Sequence, residues 1–223
     1  GPIAIFGGAI NSSLRAMGEV LCAGAARTRI VAGGDVILGG PMVNCEVTSN
    51  GRFAMRGDHP VLDSVIQVSQ SAELFMVGAQ DGPLSKVISA EDHYSQVRLT
   101  EIDNEIKQAE NNIQRIGKAL RPLTSSGGEK ISDQNRHMVQ TLVMQRQGQE
   151  ARIDELLNEK RRVAMNMKSP IDGKIVVTGN ASAGTEVRVA REALCLTMDH
   201  SACCFELDPF TRKINCVSVS HEA

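Results

Sequence analysis

Between Leu14 and Gly57 the sequence repeats itself at steps of 16 and then 17 residues, a spacing that few folds can use. Leu14, Ile30 and Val47 are equivalent, as are Gly18, Gly34 and Gly51, and Val20, Val36 and Phe53. Each unit reads as two short alternating apolar segments joined at a glycine, which is strand chemistry with a period of two. Neither segment can bury its apolar side alone, whereas stacked units bury a continuous aliphatic column. The repeat therefore predicts a mainly β chain built on a single-stranded β-helix, or β-solenoid. The glycines fit its corners, where the backbone turns tightly or takes a positive φ. Ile3 to Gly7 extends the pattern upstream. Downstream, Val68, Ala72, Leu74 and Gly78 read as the next unit, with Ala72 in the glycine corner, and Ile88 to Ala90 begins a unit that the chain abandons. Because the sequence opens in mid-repeat, earlier coils are expected ahead of Gly1, and Gly1-Pro2 reads as a protease-cleavage scar.

After Ala90 the period changes. Leu99, Ile102, Ile106, Ala109, Ile113, Ile116 and Leu120 follow at steps of three and four, a narrow apolar seam on a helix from about Gln96 to Leu120. Pro122 is expected to stop that helix, and Leu123 to Gly128 reads as a flexible turn. A second helix is expected from about Ile131, capped by Ser132 or Asp133, with a seam running from Val139 through Leu142, Ile153 and Leu156 to Val163. Arg146 and Gln149 interrupt that seam, which reads as a device for fixing register. Together the helices form an antiparallel coiled-coil hairpin inserted into the β structure. From Pro170 the chain returns to short alternating strands, including Lys174 to Gly179, Gly184 to Val189, and Cys204 to Leu207, with a turn at Asp208-Pro209. The expected organisation is residues 1–96 as solenoid, 97–165 as hairpin, and 166–223 as a β return completing or capping the solenoid.

A formal net charge of −2 gives no basic excess to suggest nucleic acid. Trp is absent and aromatics make up 3%, which disfavours base-stacking platforms and carbohydrate clefts. No apolar run approaches the roughly 20 residues of a membrane span. The six cysteines show no CxxC and no paired framework, a usage that suits a reducing cytoplasm.

His200, Cys203 and Cys204 invite a metal reading, but adjacent cysteines chelate poorly and four ligands are needed. Alternation instead places Cys203 and Phe205 on one face and Cys204 on the other, a strand with small apolar residues. The main enzymatic rival is a solenoid acyltransferase or lyase. Hexapeptide acyltransferases have 18-residue coils and use a histidine base, whereas no histidine lies between Gly1 and Gly57. His59, His93, His137 and His221 read as solvated surface residues. Gly33-Gly34 and Gly39-Gly40 lack the lysine, hydroxyl residue and helix of a phosphate loop. Positions 19, 35, 52 and 73 read as one mixed, solvated row of Glu, Asp, Arg and Glu. No catalytic residue, metal ligand or cofactor is expected.

The order of solenoid, coiled coil and β return resembles the flagellar assembly protein A family of bacteria. The residues carrying the likeness are Phe6-Gly7-Gly8, the Ala32 to Val36 run, the heptads from Ile102 to Val163, and the closing strands at Lys174 to Gly179, Gly184 to Val189 and Cys204 to Leu207. The resemblance implies a non-enzymatic cytoplasmic protein of flagellum assembly or placement. Its partner would be another cytoplasmic protein, such as a regulator, or a second copy. A regulator with a solenoid like that of the cell-division inhibitor MinC is the other non-enzymatic reading, against which the coiled-coil insertion argues.

Insertions in repeat proteins often mark the binding face. The step from Gly57 to Gly78 is 21 residues, with the extra length assigned to Asp58 to Asp63, and Ala79 to Leu84 looks like a second swelling. Asp58, His59, Val61, Leu62, Asp63, Gln80 and Asp81 are the expected partner-binding residues, with Val61 and Leu62 on an exposed loop. Loops that merely cover the end of the solenoid are the alternative.

Overall fold

The computed structural model describes residues 1–79, 82–124, 133–167 and 173–219. The chain divides into two compact units: residues 1–94 with 168–223, and residues 95–167. The turn at 125–128, the Ser132 cap, Pro170, Gln80, Asp81 and His221 lie outside the described residues.

The first unit is a parallel β-solenoid of about five turns. Its strands in chain order are β1 (Ile3–Ile10), β2 (Ser13–Ala16), β3 (Val20–Ala26), β4 (Arg29–Ala32), β5 (Val36–Leu38), β6 (Met42–Val43), β7 (Glu46–Ser49), β8 (Phe53–Met55), β9 (Pro60–Leu62), β10 (Val65–Val68), β11 (Ala72–Leu74), β12 (Met76–Val77) and β13 (Lys86–Ser89). They stack in three ladders, not two. The first half of β3 pairs with β5 and its second half with β6, so one bent strand serves two faces. β1 runs along β3 in the same way. The third ladder is β2, β4, β7, β10 and β13. The middle face escaped the alternation pattern because β6 and β12 are each only two residues long.

Side chains at equivalent positions stack along the axis and fill the interior. Val36 lies between Val20 and Phe53, and all three are fully buried. On the third ladder Leu14, Ile30, Val47, Ile66 and Val87 form one rung after another. The fourth unit is placed differently from its expected register. Val47 pairs with Ile66, and Phe53 pairs with Ala72, not with Leu74. Volume explains this choice: next to the largest inward side chain the column takes a methyl group, which keeps the packing dense without strain. The row preceding these residues therefore reads Glu19, Asp35, Arg52 and Ser71, and Glu73 belongs beside Ala54.

Corners divide into two chemical types. At Gly34 and Gly51 the reason for glycine is close approach, and φ stays out of the left-handed region. A Cβ on Gly51 would lie 2.8 Å from the Asp35 amide nitrogen and 2.9 Å from the Gly34 carbonyl carbon. The left-handed corner is made by Asn11, Arg27, Asn44 and Asp63 instead, with φ of 50°, 48°, 53° and 47°. Each precedes a small polar residue: Ser12, Thr28, Cys45 and Ser64. These bond to one another across coils, the Thr28 amide donating to Cys45 Sγ at 3.4 Å and the Cys45 amide to Ser64 Oγ at 3.0 Å. The buried hydroxyls and thiol thereby satisfy backbone groups at the turn, which offsets the strain of a non-glycine αL residue.

After the insertion the chain resumes the same stack. β14 (Lys174–Ala181) pairs in parallel with β11 and β12, and β15 (Glu186–Val189) with β13. The two β portions thus form one continuous solenoid. Three antiparallel strands follow: β16 (Glu192–Cys195) on β15, β17 (His200–Leu207) on β14, and β18 (Ile214–Ser218) on β17. Reversing direction ends the parallel stack and covers its last rung, with Phe205 and Cys203 closing the apolar columns.

The second unit pairs α1 (His93–Thr124) with α2 (Asp133–Asn166). α1 starts before Gln96 and runs through Pro122 in its last turn. A proline there removes only the hydrogen bond to the Lys118 carbonyl, so the helix keeps its final turn instead of stopping. Ile102, Ala109 and Leu156 are buried in the seam. Cross-helix ion pairs set its register: Arg98 to Glu159 at 2.6 Å, Lys160 to Asp103 at 2.5 Å, and Arg152 to Glu105 at 2.9 Å. Arg146 does not sit in the seam. It turns out to Glu150 of its own helix at 2.8 Å, while Gln149 stays half-buried. Gly117 and Gly148 lie inside the helices, and a Cβ on either would touch nothing. Each costs about 0.5–1 kcal/mol relative to alanine, and packing within the hairpin supplies no reason for it.

Candidate functional site

Of the seven residues expected to meet a partner, Asp58, His59, Val61, Leu62 and Asp63 lie in or beside β9, and the structure sorts them. The longer coil begins earlier than expected: Phe53 to Val61 spans two more residues than Val36 to Met42, and they fall in the turn Arg56–His59. Gly57 turns there with φ of 82°, and the His59 amide donates to the Gly57 carbonyl at 3.0 Å. Asp58 is exposed and His59 half-buried. Val61 is not on a loop. It is a fully buried rung between Met42 and Val77, so it offers nothing to a partner. Leu62 belongs to the same strand but faces outward, half-buried. Asp63 occupies the left-handed corner described above, a backbone role. The second swelling is real, since Ile66 to Val87 takes 21 residues. It leaves from the corner after β12, whereas Asp58 and His59 lie at the corner before β9.

Leu62 ends a row that the 16- and 17-residue repeat does not display. Ile10, Ala26, Val43 and Leu62 pair in sequence along the outer side of the middle face. Ile10 is 59% exposed and Val43 39%, so the row is an aliphatic strip open to solvent. Its signature was present in the chain as an apolar residue just before each left-handed corner: Ile10-Asn11, Ala26-Arg27, Val43-Asn44 and Leu62-Asp63. The first face carries a shallow hollow of about 300 Å³, floored by Ile37, Ala54 and Met55 and crossed by the Asp35–Arg52 ion pair at 3.3 Å.

The histidine and cysteines of the β return have a structural arrangement. Cys203 and Cys204 point to opposite sides of β17, Cys203 buried beside Phe205 and Cys204 half-exposed. His200 Nδ1 lies 3.6 Å from Cys216 Sγ, and its ring meets Phe205 edge-on at 6.1 Å. Among the described residues no group of three or more His, Cys, Asp or Glu is placed to hold a metal ion. His93 is half-buried, not solvated, with Nε2 2.9 Å from Glu91 Oε2.

Burial, helped by the neighbouring Cys216 thiol, pushes the Cys203 thiol up to about 12. Desolvation raises the thiols of Cys45 and Cys204 as well. A thiol raised in the folded state above the unfolded value of 9.0 holds its proton longer when folded than when unfolded. Its contribution is present below pH 9.0 and is lost as pH rises toward about 12. Alkaline denaturation followed by circular dichroism is expected to show stability falling across that window, and Cys203→Ala to flatten the fall. An unchanged slope in Cys203→Ala would remove Cys203 from the account.

Residues 1–209 match the sequence profile of the Flagellar Assembly Protein A (FapA) beta solenoid domain. No curated protein and no solved structure matches the chain. The match spans the parallel ladders, the inserted helices and β17, the parts whose order the sequence displayed. The chain therefore belongs to the FapA family.

Proposed function

We propose that the protein is a non-enzymatic scaffold or adaptor for flagellum assembly or placement, working in the bacterial cytoplasm through protein contacts. The observation that carries this reading is the family match over residues 1–209. The solenoid supports it physically. Its interior is a stack of aliphatic side chains, a rigid rod, and its outer face presents the Ile10–Leu62 strip, with the charged Arg27 and Asp63 at the corner that follows it. A flat apolar strip with a charged rim suits a protein partner, because association buries apolar area while rim charges select orientation. Among the described residues no helix is long and apolar enough to cross a membrane.

Deleting the gene in the source bacterium is expected to leave cells with missing or misplaced flagella, scored by electron microscopy and swimming. Normal flagella in the deletion strain would reject the reading. The surface has its own test. Asp58→Ala combined with Leu62→Ser is expected to weaken capture of the flagellar partner several-fold while stability moves by less than about 1 kcal/mol. Undiminished capture would clear this strip of a binding role.

A further inference from the structure

Two thiols and an imidazole converge at the end of the stack, where β17 and β18 run antiparallel. Cys203 lies opposite Ser218, and Phe205 opposite Cys216. All four side chains therefore share one face, and the two cysteines are diagonal neighbours across the ladder. Their thiols are in hydrogen-bond contact. His200 joins them, although it stands three residues from Cys203 and plain alternation would send it to the other face. Ala202 breaks the alternation with a left-handed backbone, φ 44°, where the ladder to β14 also shifts register. Cys203 thus lies opposite the buried Val177 and His200 opposite the buried Ala181. The imidazole packs against the edge of Phe205, and its Nδ1 comes to 3.6 Å from Cys216 Sγ.

Of the six cysteines only Cys195 and Cys216 are exposed, and their surroundings differ in chemistry. Cys195 Sγ faces an acceptor, the Gly184 carbonyl oxygen at 3.9 Å, which favours the protonated thiol. Cys216 faces a base and a second thiol. Burial pushes the Cys203 thiol up to about 12, so Cys203 keeps its proton and donates it toward the neighbouring sulfur. Once the Cys216 proton passes to Nδ1, the resulting thiolate has two donors, the imidazolium N–H and the Cys203 S–H. Donors of this kind favour the thiolate, which is the reactive form of cysteine.

We propose that Cys216 is a site of reversible S-thiolation, at which a low-molecular-weight disulfide of the glutathione type exchanges onto its sulfur with His200 as the base and Cys203 as a hydrogen-bond donor. Nδ1 takes the Cys216 proton, and the thiolate attacks one sulfur of the incoming disulfide. That disulfide's S–S bond breaks as the Cys216 S–S bond forms, and the departing thiolate takes the proton back from the imidazolium. One S–S bond replaces another, so no further oxidant is required. Cys203 is placed to assist and not to bridge. Diagonal neighbours in a sheet stand about 7–8 Å apart, whereas a cystine spans about 4.4–6.8 Å between α-carbons. Its sulfur is also buried, which leaves Cys216 as the thiol an incoming disulfide can reach. The inference does not depend on the adaptor reading.

The test treats the full chain with oxidised glutathione and follows it by intact-mass and peptide mass spectrometry. One glutathionyl group is expected on Cys216, forming at least about tenfold faster than on Cys195 and removed by dithiothreitol. In urea, where both thiols lose their surroundings, the preference is expected to vanish. His200→Gln fills the imidazole's place without accepting a proton, and is expected to slow Cys216 at least about tenfold while Cys195 is unchanged. Cys203→Ala is expected to slow Cys216 several-fold, and Cys203→Ser, which keeps a donor, to restore much of the rate. Circular dichroism checks the fold of each variant, and if the Cys203 variants misfold, His200→Gln and the comparison with Cys195 decide. Cys195 reacting as fast as Cys216, a preference that persists in urea, or an unslowed Cys216 in folded His200→Gln would overturn the proposal. So would an internal Cys203–Cys216 disulfide forming in place of the glutathionyl adduct.

Discussion

Val36→Asp is expected to destabilise the protein by about 4 kcal/mol or more, visible as a melting midpoint lowered by about 10 °C or more. Val36 is fully buried and stacked between Val20 and Phe53, which offer no hydrogen-bond donor from their side chains. A carboxylate there must either stay charged in an apolar column or bind a proton, and both states cost free energy. Neighbouring coils cannot open to admit water without breaking the ladders on either side. Val36→Ala should cost only about 2 kcal/mol, the loss of two methyl groups plus a small void. Ile37→Asp provides the internal comparison, because Ile37 is on the same strand, faces outward and is half-exposed. It should cost less than about 1 kcal/mol. If Ile37→Asp proved the more damaging of the two, the inward and outward faces of β5 would be reversed.

Excising the hairpin is expected to remove nearly all the helical circular dichroism and leave a folded, strand-rich product. The replacement joins residue 96 to residue 166 through a short Gly/Ser linker. The solenoid's own geometry supports this result. Gly173 lies directly against Ala90, with no room for a methyl group between them, so the chain leaves and re-enters the stack at one place. Ala72 with Ile175 and Val87 with Val187 are rung contacts that need no helix. A linker closing so short a gap costs little conformational entropy. Cooperative thermal melting of the excised protein, monitored by its strand signal, is the expected readout. A product with no cooperative transition would show that the helices are required to hold the two β portions together.

Much of this architecture was legible in the residues. Three equivalent triplets at 16 and 17 residues located the inward columns, and the structure places Leu14, Ile30 and Val47, and Val20, Val36 and Phe53, in consecutive contact. The heptads located both helices, apart from the turn that α1 gains at its start and its passage through Pro122. The partner surface was less legible. Val61 looked like an exposed apolar residue because its coil is long, yet the added length lies in Arg56–His59 and Val61 is packed inside. A length difference between repeats reveals that residues are added but not which side of a short strand receives them. The left-handed corner was hidden for a similar reason. Asn11, Asn44 and Asp63 are residue types that tolerate a left-handed backbone but Arg27 is not, and it is the φ angles that join all four into one column.

By itself, then, the sequence determined the repeating burial pattern, the coiled-coil seam and their order, because alternation and heptad spacing are local properties written within ten or so residues. Which residue rests on Phe53 was decided only in three dimensions. Leu74 fits the glycine spacing, but Ala72 is the one that stacks, since the choice depends on the volume already filled by Phe53 and on the lengths of corners elsewhere in the coil. The bend that lets β3 serve two faces, and the meeting of Ala90 with Gly173 across the inserted helices, are likewise tertiary outcomes. Each depends on contacts between residues far apart in the chain, for which no short-range periodicity exists.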